Sequence, residues 1–134
     1  MFPVINGLRS VEFGTPGESR EKLVNLILHG NKRATAGLLK EYKDEGEPIE
    51  HIGECLAMVD NNGDHVGTLE VTRVEVLRFI DVPDEFALAE AEGDLNAEDF
   101  RRSHLAFWTR VGEEVHDETE IVTVYFNLIS LEQA

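Results

Sequence analysis

Cys55-Leu56-Ala57-Met58-Val59-Asp60-Asn61-Asn62-Gly63-Asp64-His65-Val66-Gly67-Thr68-Leu69-Glu70-Val71 is the stretch whose reading sets the fold class. An apolar run, a turn cluster containing Asn-Gly and a second β-branched run predict two paired strands, Cys55 to Val59 and His65 to Phe79. Asp60, Asn62 and Asp64 also match the opening of a calcium loop. Position 71, where the bidentate acid of such a loop falls, is Val71, so the segment reads as a turn. Cys55 is the one cysteine and reads as a small buried apolar residue of the first strand. A single cysteine excludes an internal disulfide and a Cys-based zinc site, and no metal or cofactor is expected.

On the N-terminal side, Thr15-Pro16-Gly17-Glu18 reads as a helix start, with Thr15 as cap, Pro16 in the first turn and Glu18 as capping-box acid. Leu23, Leu26 and Ile27 continue it as an apolar stripe, and Gly30 supplies the left-handed residue that ends it. Arg33 to Leu39 suits a short strand and Tyr42 to Gly53 a polar loop. On the C-terminal side a short helix is expected from Val82 or Pro83 to Glu92, closed by Gly93. A longer one follows Asn96, with Phe100, His104, Phe107, Trp108, Val111 and Val115 on one apolar face. Ile121 to Ile129 is β-branched and aromatic, a closing strand. About five strands with two or three inserted helices predict an α+β fold, a curved sheet or small barrel, as one domain over residues 1–134.

The 134 residues carry 27 acids against 12 bases, a net charge of -15. Leu, Val, Ile and Phe make up 41 residues, enough for a buried core despite that charge. The charge is unevenly divided: residues 1–40 hold six bases and three acids, whereas the rest hold six bases and 24 acids. The bulk charge argues against binding long duplexes, while the N-terminal third can meet an anionic or electron-rich ligand. The opening Met1 to Gly7 has neither a basic nor an apolar signal region, and no apolar run approaches the ~18 residues of a membrane span. A cytoplasmic protein with no membrane partner is expected.

Gly30-Asn31-Lys32-Arg33-Ala34-Thr35 fits Gly-x-Lys-x-x-Thr. Downstream lie Glu90-Ala91-Glu92-Gly93-Asp94-Leu95 and Phe100-Arg101-Arg102-Ser103-His104. In this order and spacing, from about Phe13 to Leu128, the chain resembles the ASCH (activating-signal-cointegrator homology) domain family. The first segment matches its lysine motif, the second its Glu-Gly-Asp-Leu segment, and the third a Trp-Arg-x-x-His pattern of one bacterial branch, with Phe100 in place of Trp. The resemblance implies a PUA-like fold, a small β-barrel of five to six strands with flanking helices, and a cleft for RNA or a modified nucleoside.

Members similar to N4-acetylcytidine amidohydrolases use a Lys, a Thr three residues later and a distant Glu, which by motif fall on Lys32, Thr35 and Glu92. These residue types suit amide hydrolysis, with Thr35 as nucleophile, Lys32 taking its proton and Glu92 protonating the leaving amine. In a regular strand Lys32 and Thr35 would point to opposite faces, so joint action requires Lys32 in the turn after Gly30 and Thr35 at the strand's start. Those relatives carry Arg two residues after the Thr. This chain has Gly37, which leaves Arg33 or Arg101 as substitute cations.

Each residue also has a plainer role. Lys32 and Arg33 can neutralise carbonyls at a helix end, Thr35 can be an ordinary strand residue, and Glu92 can be a solvated helix acid. Arg101 can pair with Glu98 or Asp94, and His104 can be a hydrogen-bonded core residue rather than a substrate contact. Tyr42 either stacks on a base or packs its loop. Three functions follow: an amidohydrolase acting on an N4-acylcytidine-type nucleoside, a module or ribonuclease holding short single-stranded RNA, or a non-catalytic ligand sensor or protein-interaction module whose acidic surface meets a basic partner.

Overall fold

The computed structural model describes residues 3–131. Its scaffold is two long antiparallel strands, numbered here β5 (His65–Arg78) and β6 (Glu120–Leu131). Around them stand β1 (Val4–Ile5), β2 (Leu8–Val11), β3 (Ala34–Leu38) and β4 (Cys55–Val59), in the order β1-β2-β4-β5-β6-β3. β2 and β4 run parallel and all other neighbours antiparallel. The helices are α1 (Glu18–Leu28), α2 (Leu39–Glu45), α3 (Asp84–Glu90) and α4 (Ala97–Arg110). The α+β class is as expected. The closed barrel is not: among the described residues no ladder joins β3 to the β1–β2 edge. β1 spans two residues and β3 five, too few to complete a cylinder, and the gap becomes important below.

The β4–β5 hairpin forms as expected. Asp60 Oδ1 accepts the N–H groups of Asn62 (2.9 Å) and Asp64 (3.0 Å), and Gly63 takes the positive φ of 80° that the turn requires. Alternation along β6 separates two cores. Val122, Val124 and Phe126 face α1 and pack with Val24, Ile27, Leu56, Met58 and Leu69. Ile121 faces α3 and α4 and packs with Phe79, Phe86, Phe100 and Trp108. Phe100, standing where the bacterial branch has Trp, is fully buried. No helix among the described residues is long and apolar enough to cross a membrane.

Three local expectations are corrected. α1 begins at Glu18, and Gly17 (φ 106°) precedes it with no side-chain cap, so Thr15 and Pro16 lie outside the helix. The cause is tertiary: Asn61, in the β4–β5 turn, accepts from Gly17 N–H (2.7 Å) and donates to its carbonyl (2.9 Å). Part of the expected Tyr42–Gly53 loop is helical. α2 is built from strong helix formers but buries no residue, so it leaves no apolar stripe to read. α3 stops at Glu90, with Ala91 left-handed at φ 55°, so Glu92 lies beyond the helix rather than in its last turn. There Arg33 N–H donates to the carbonyl of Ala89 at 2.7 Å, satisfying a terminal carbonyl from across the chain.

Candidate functional site

Gly30 adopts φ 81°, and the N–H groups of Asn31 and Lys32 both donate to the carbonyl of Leu26. The chain therefore wraps around the end of α1 before β3 begins at Ala34. This puts Lys32 in the turn and Thr35 one residue into the strand, which removes the objection from strand alternation. Ala34 and Leu38 face the α3/α4 core, so Thr35 and Gly37 lie on the other face of β3.

Lys32 is 1% exposed. Its Nζ donates to Glu92 Oε2 at 2.6 Å, to the Ala34 carbonyl at 2.7 Å and to the Glu90 carbonyl at 3.4 Å, the full capacity of an ammonium. Glu92 is the more open partner, with 28% of its side chain exposed.

Behind this pair lies Glu90, 2% exposed. Its Oε2 is 4.0 Å from Lys32 Nζ, and its Oε1 is 3.1 Å from His104 Nε2. That second distance is short, yet Oε1 receives no properly directed hydrogen bond. His104 Nδ1 lies 3.1 Å from the Phe100 carbonyl, and its ring stacks on Phe100 at 4.0 Å between centroids. Burial is the largest influence on Glu90 and holds its carboxyl above the ordinary range, against the pull of His104 and Lys32. Burial pushes the His104 imidazole down most strongly, but contact with Glu90 and the charges of Glu90 and Glu92 outweigh it and leave it raised. Asp94 accepts from Ser103 Oγ at 3.0 Å.

Lys32, Thr35, Glu90, Glu92, Asp94 and His104 line one cavity of about 390 Å³. Residues just beyond β2, Glu12 to Gly14, form another wall, so the cavity occupies the seam where β2 and β3 fail to pair. A smaller hollow of about 190 Å³ adjoins it, sharing Glu12, Phe13, Thr35 and Ala36. Tyr42 lines this hollow and donates to Glu50 Oε1 at 2.7 Å, and a methyl group at Gly37 would lie 3.6 Å from its ring.

Four of the seven expected site residues thus share the main cavity, and Tyr42 stands next to it. Arg33 does not join them. It is exposed and lines a separate concavity with Arg73 and Tyr125. Arg101 donates to the carbonyls of Ile80 (3.2 Å) and Val82 (3.4 Å), bracing the turn before α3 instead of pairing with Glu98 or Asp94. The second cation on the cavity wall is Arg110, the last residue of α4, set 5.7 Å from the Phe107 ring centroid. Sequence reasoning passed over Glu90, Asp94, Ser103 and Arg110. The first three lie within or beside the quoted motif segments; Arg110 has no local signal.

A family model described as the ASCH domain matches residues 9–130. Among solved structures, the ASCH domain from Lactobacillus crispatus JV V101 is 24% identical, with a TM-score of 0.78 over 93% of this chain and 82% of that one. A protein from Enterococcus faecalis V583 is also 24% identical, with a TM-score of 0.78 over 90% of this chain and 75% of that one. At this identity the likeness speaks for the fold. No curated protein matches the chain.

Proposed function

The chain belongs to the ASCH domain family, and from that premise we propose that it is an amidohydrolase that removes the acyl group from an N4-acylcytidine-type nucleoside. The observation that carries this reading is the meeting of Lys32 and Thr35, from one segment, with Glu92, from a distant one, on one cavity. In this reading Thr35 Oγ attacks the amide carbonyl. Glu92, partly exposed, takes the hydroxyl proton and passes it to the departing amine, after which water cleaves the acyl-Thr35 ester. Lys32 has no exposed side-chain surface, so its part is to hold Glu92 in place rather than to touch substrate. This departs from the expectation that Lys32 itself takes the Thr35 proton. Glu12, Glu90, Glu92 and Asp94 outnumber Lys32 and Arg110 on the walls, which favours a neutral nucleoside over a phosphorylated one.

Following release of free cytidine from N4-acetylcytidine tests the reading. Turnover that disappears in Thr35→Ala and Glu92→Gln is expected; no turnover by the intact protein rejects the substrate, and turnover unchanged in both variants rejects the residues. A second reading, single-stranded RNA binding or cleavage, draws on the exposed Arg33 beside Arg73 and Tyr125, a cation and an aromatic on one concavity of about 470 Å³. It requires an affinity for RNA that falls steeply with salt and weakens in Arg33→Ala.

A further inference from the structure

The buried polar cluster behind Glu92 holds more than amide hydrolysis by Thr35 and Glu92 requires. We propose that Glu90, Asp94 and His104 form a binding site for a divalent transition-metal ion of the Zn²⁺ or Mn²⁺ type, on the wall of the main cavity. One ligand atom from each residue lies within 4.8 Å of the others. Metal bonds of ~2.0–2.2 Å place adjacent ligands about 3 to 3.6 Å apart. The Glu90–His104 contact already has that spacing; Asp94, held through Ser103, has its Oδ2 3.9 Å from His104 Nδ1 and must turn inward to join it.

The independent observation is Glu90 Oε1. A buried carboxylate oxygen without a directed donor is costly, and native proteins rarely leave one so. His104 Nε2 stands 3.1 Å away, close enough for an ion pair but out of line for a hydrogen bond. Two ligands on one edge of a coordination polyhedron have this spacing and this lack of mutual alignment. His104 Nδ1 is engaged by the Phe100 carbonyl, which leaves Nε2 as the free nitrogen and fixes the ring, the usual outer support of a metal-bound histidine. Ser103 Oγ supports Asp94 in the same way.

Charge points in the same direction. With Glu90, Glu92 and Asp94 ionised and His104 neutral, the states that metal ligation requires, the carboxylates exceed the Lys32 ammonium by two charges, which a divalent ion cancels. One imidazole nitrogen with carboxylate oxygens suits Zn²⁺, Mn²⁺ or Co²⁺ better than Ca²⁺ or Mg²⁺, which favour all-oxygen shells. Three protein ligands leave a position open toward the cavity, where such an ion would carry and activate a water molecule.

The test needs no substrate, so its outcome is separate from that of the amidohydrolase reading. Metal-free full-length protein is titrated with Co²⁺, followed by its visible absorption, and with Zn²⁺, followed by calorimetry. One equivalent is expected to bind and to raise the melting temperature. Glu90→Gln and His104→Gln should each weaken binding by more than ~100-fold, and Ser103→Ala by roughly 10-fold. The surface histidines His29, His51 and His116 remain in every variant and report nonspecific uptake. Asp94→Asn, at a position more open than Glu90, replaces the Glu90 variant should that fail to fold by circular dichroism. Absence of a stoichiometric site in the wild type overturns the proposal, as does an affinity that all three ligand variants leave within threefold.

Discussion

Two acidic segments of this molecule look alike on paper and behave differently in space. Asp60 and Asp64 lie in an exposed turn, where Asp60 Oδ1 is taken up by two backbone N–H groups of its own loop. Glu90 closes α3 and Glu92 and Asp94 lie between it and α4, where Lys32 is enclosed beside them and one Glu90 oxygen has no directed donor. The difference lies in where the hydrogen-bonding capacity goes. Local backbone consumes it in the turn; in the seam, distant side chains share it and do not use all of it.

The comparison breaks most visibly at Lys32. Lys32→Met leaves Glu90 and Glu92 without their ammonium, and urea denaturation should show a loss of about 3–5 kcal/mol. Thr35→Ala should leave the fold near intact and Glu92→Gln should weaken it by less than Lys32→Met, since Gln still accepts from Lys32; measured on folded protein at saturating substrate, both should lower N4-acetylcytidine deacylation by about 10²–10⁴-fold. Asp60→Ala removes two hydrogen bonds from the exposed turn. A loss of about 1 kcal/mol is expected, with deacylation and Zn²⁺ binding unchanged; a change in either would erase the contrast between the segments.

The smallest effect concerns a third acidic region, on α2. Partial shielding of this otherwise exposed residue from water, followed by the nearby charges of Glu113 and Glu45, raises the Glu41 carboxyl above its ordinary value, with Lys40 opposing. A carboxyl raised in the folded state favours folding while protonated, and that contribution is lost as pH rises through the folded value. Glu41→Gln should therefore melt slightly higher than wild type at pH 7 and equally below about pH 4, checked by melting curves at both.

Much of this was legible in local sequence. The β4–β5 hairpin, the Asn96 cap of α4, whose side chain accepts from Asp99 N–H, and the left-handed Gly30 depend on residues within a few positions of one another. The start of α1 was not legible, because Asn61, 44 residues away, decides it. Nor was α2, which has helix-forming residues but no buried stripe to mark it. In the site, Lys32, Thr35, Glu92 and His104 were legible as types at motif spacings. Glu90 was overshadowed by Glu92 two residues on, since only burial distinguishes them.

The sequence by itself determined strands β3 to β6, helices α1, α3 and α4, the positive charge of the first forty residues and the turn that frees Lys32 from strand alternation. These are short-range consequences of backbone preference and side-chain type. Tertiary structure alone decided that β2 and β3 stay unpaired, that Arg33 and Arg101 leave the site while Arg110 enters it, and that a carboxylate is buried against a histidine. Each of those outcomes depends on which distant surfaces exclude water together, and adjacent residues do not encode that.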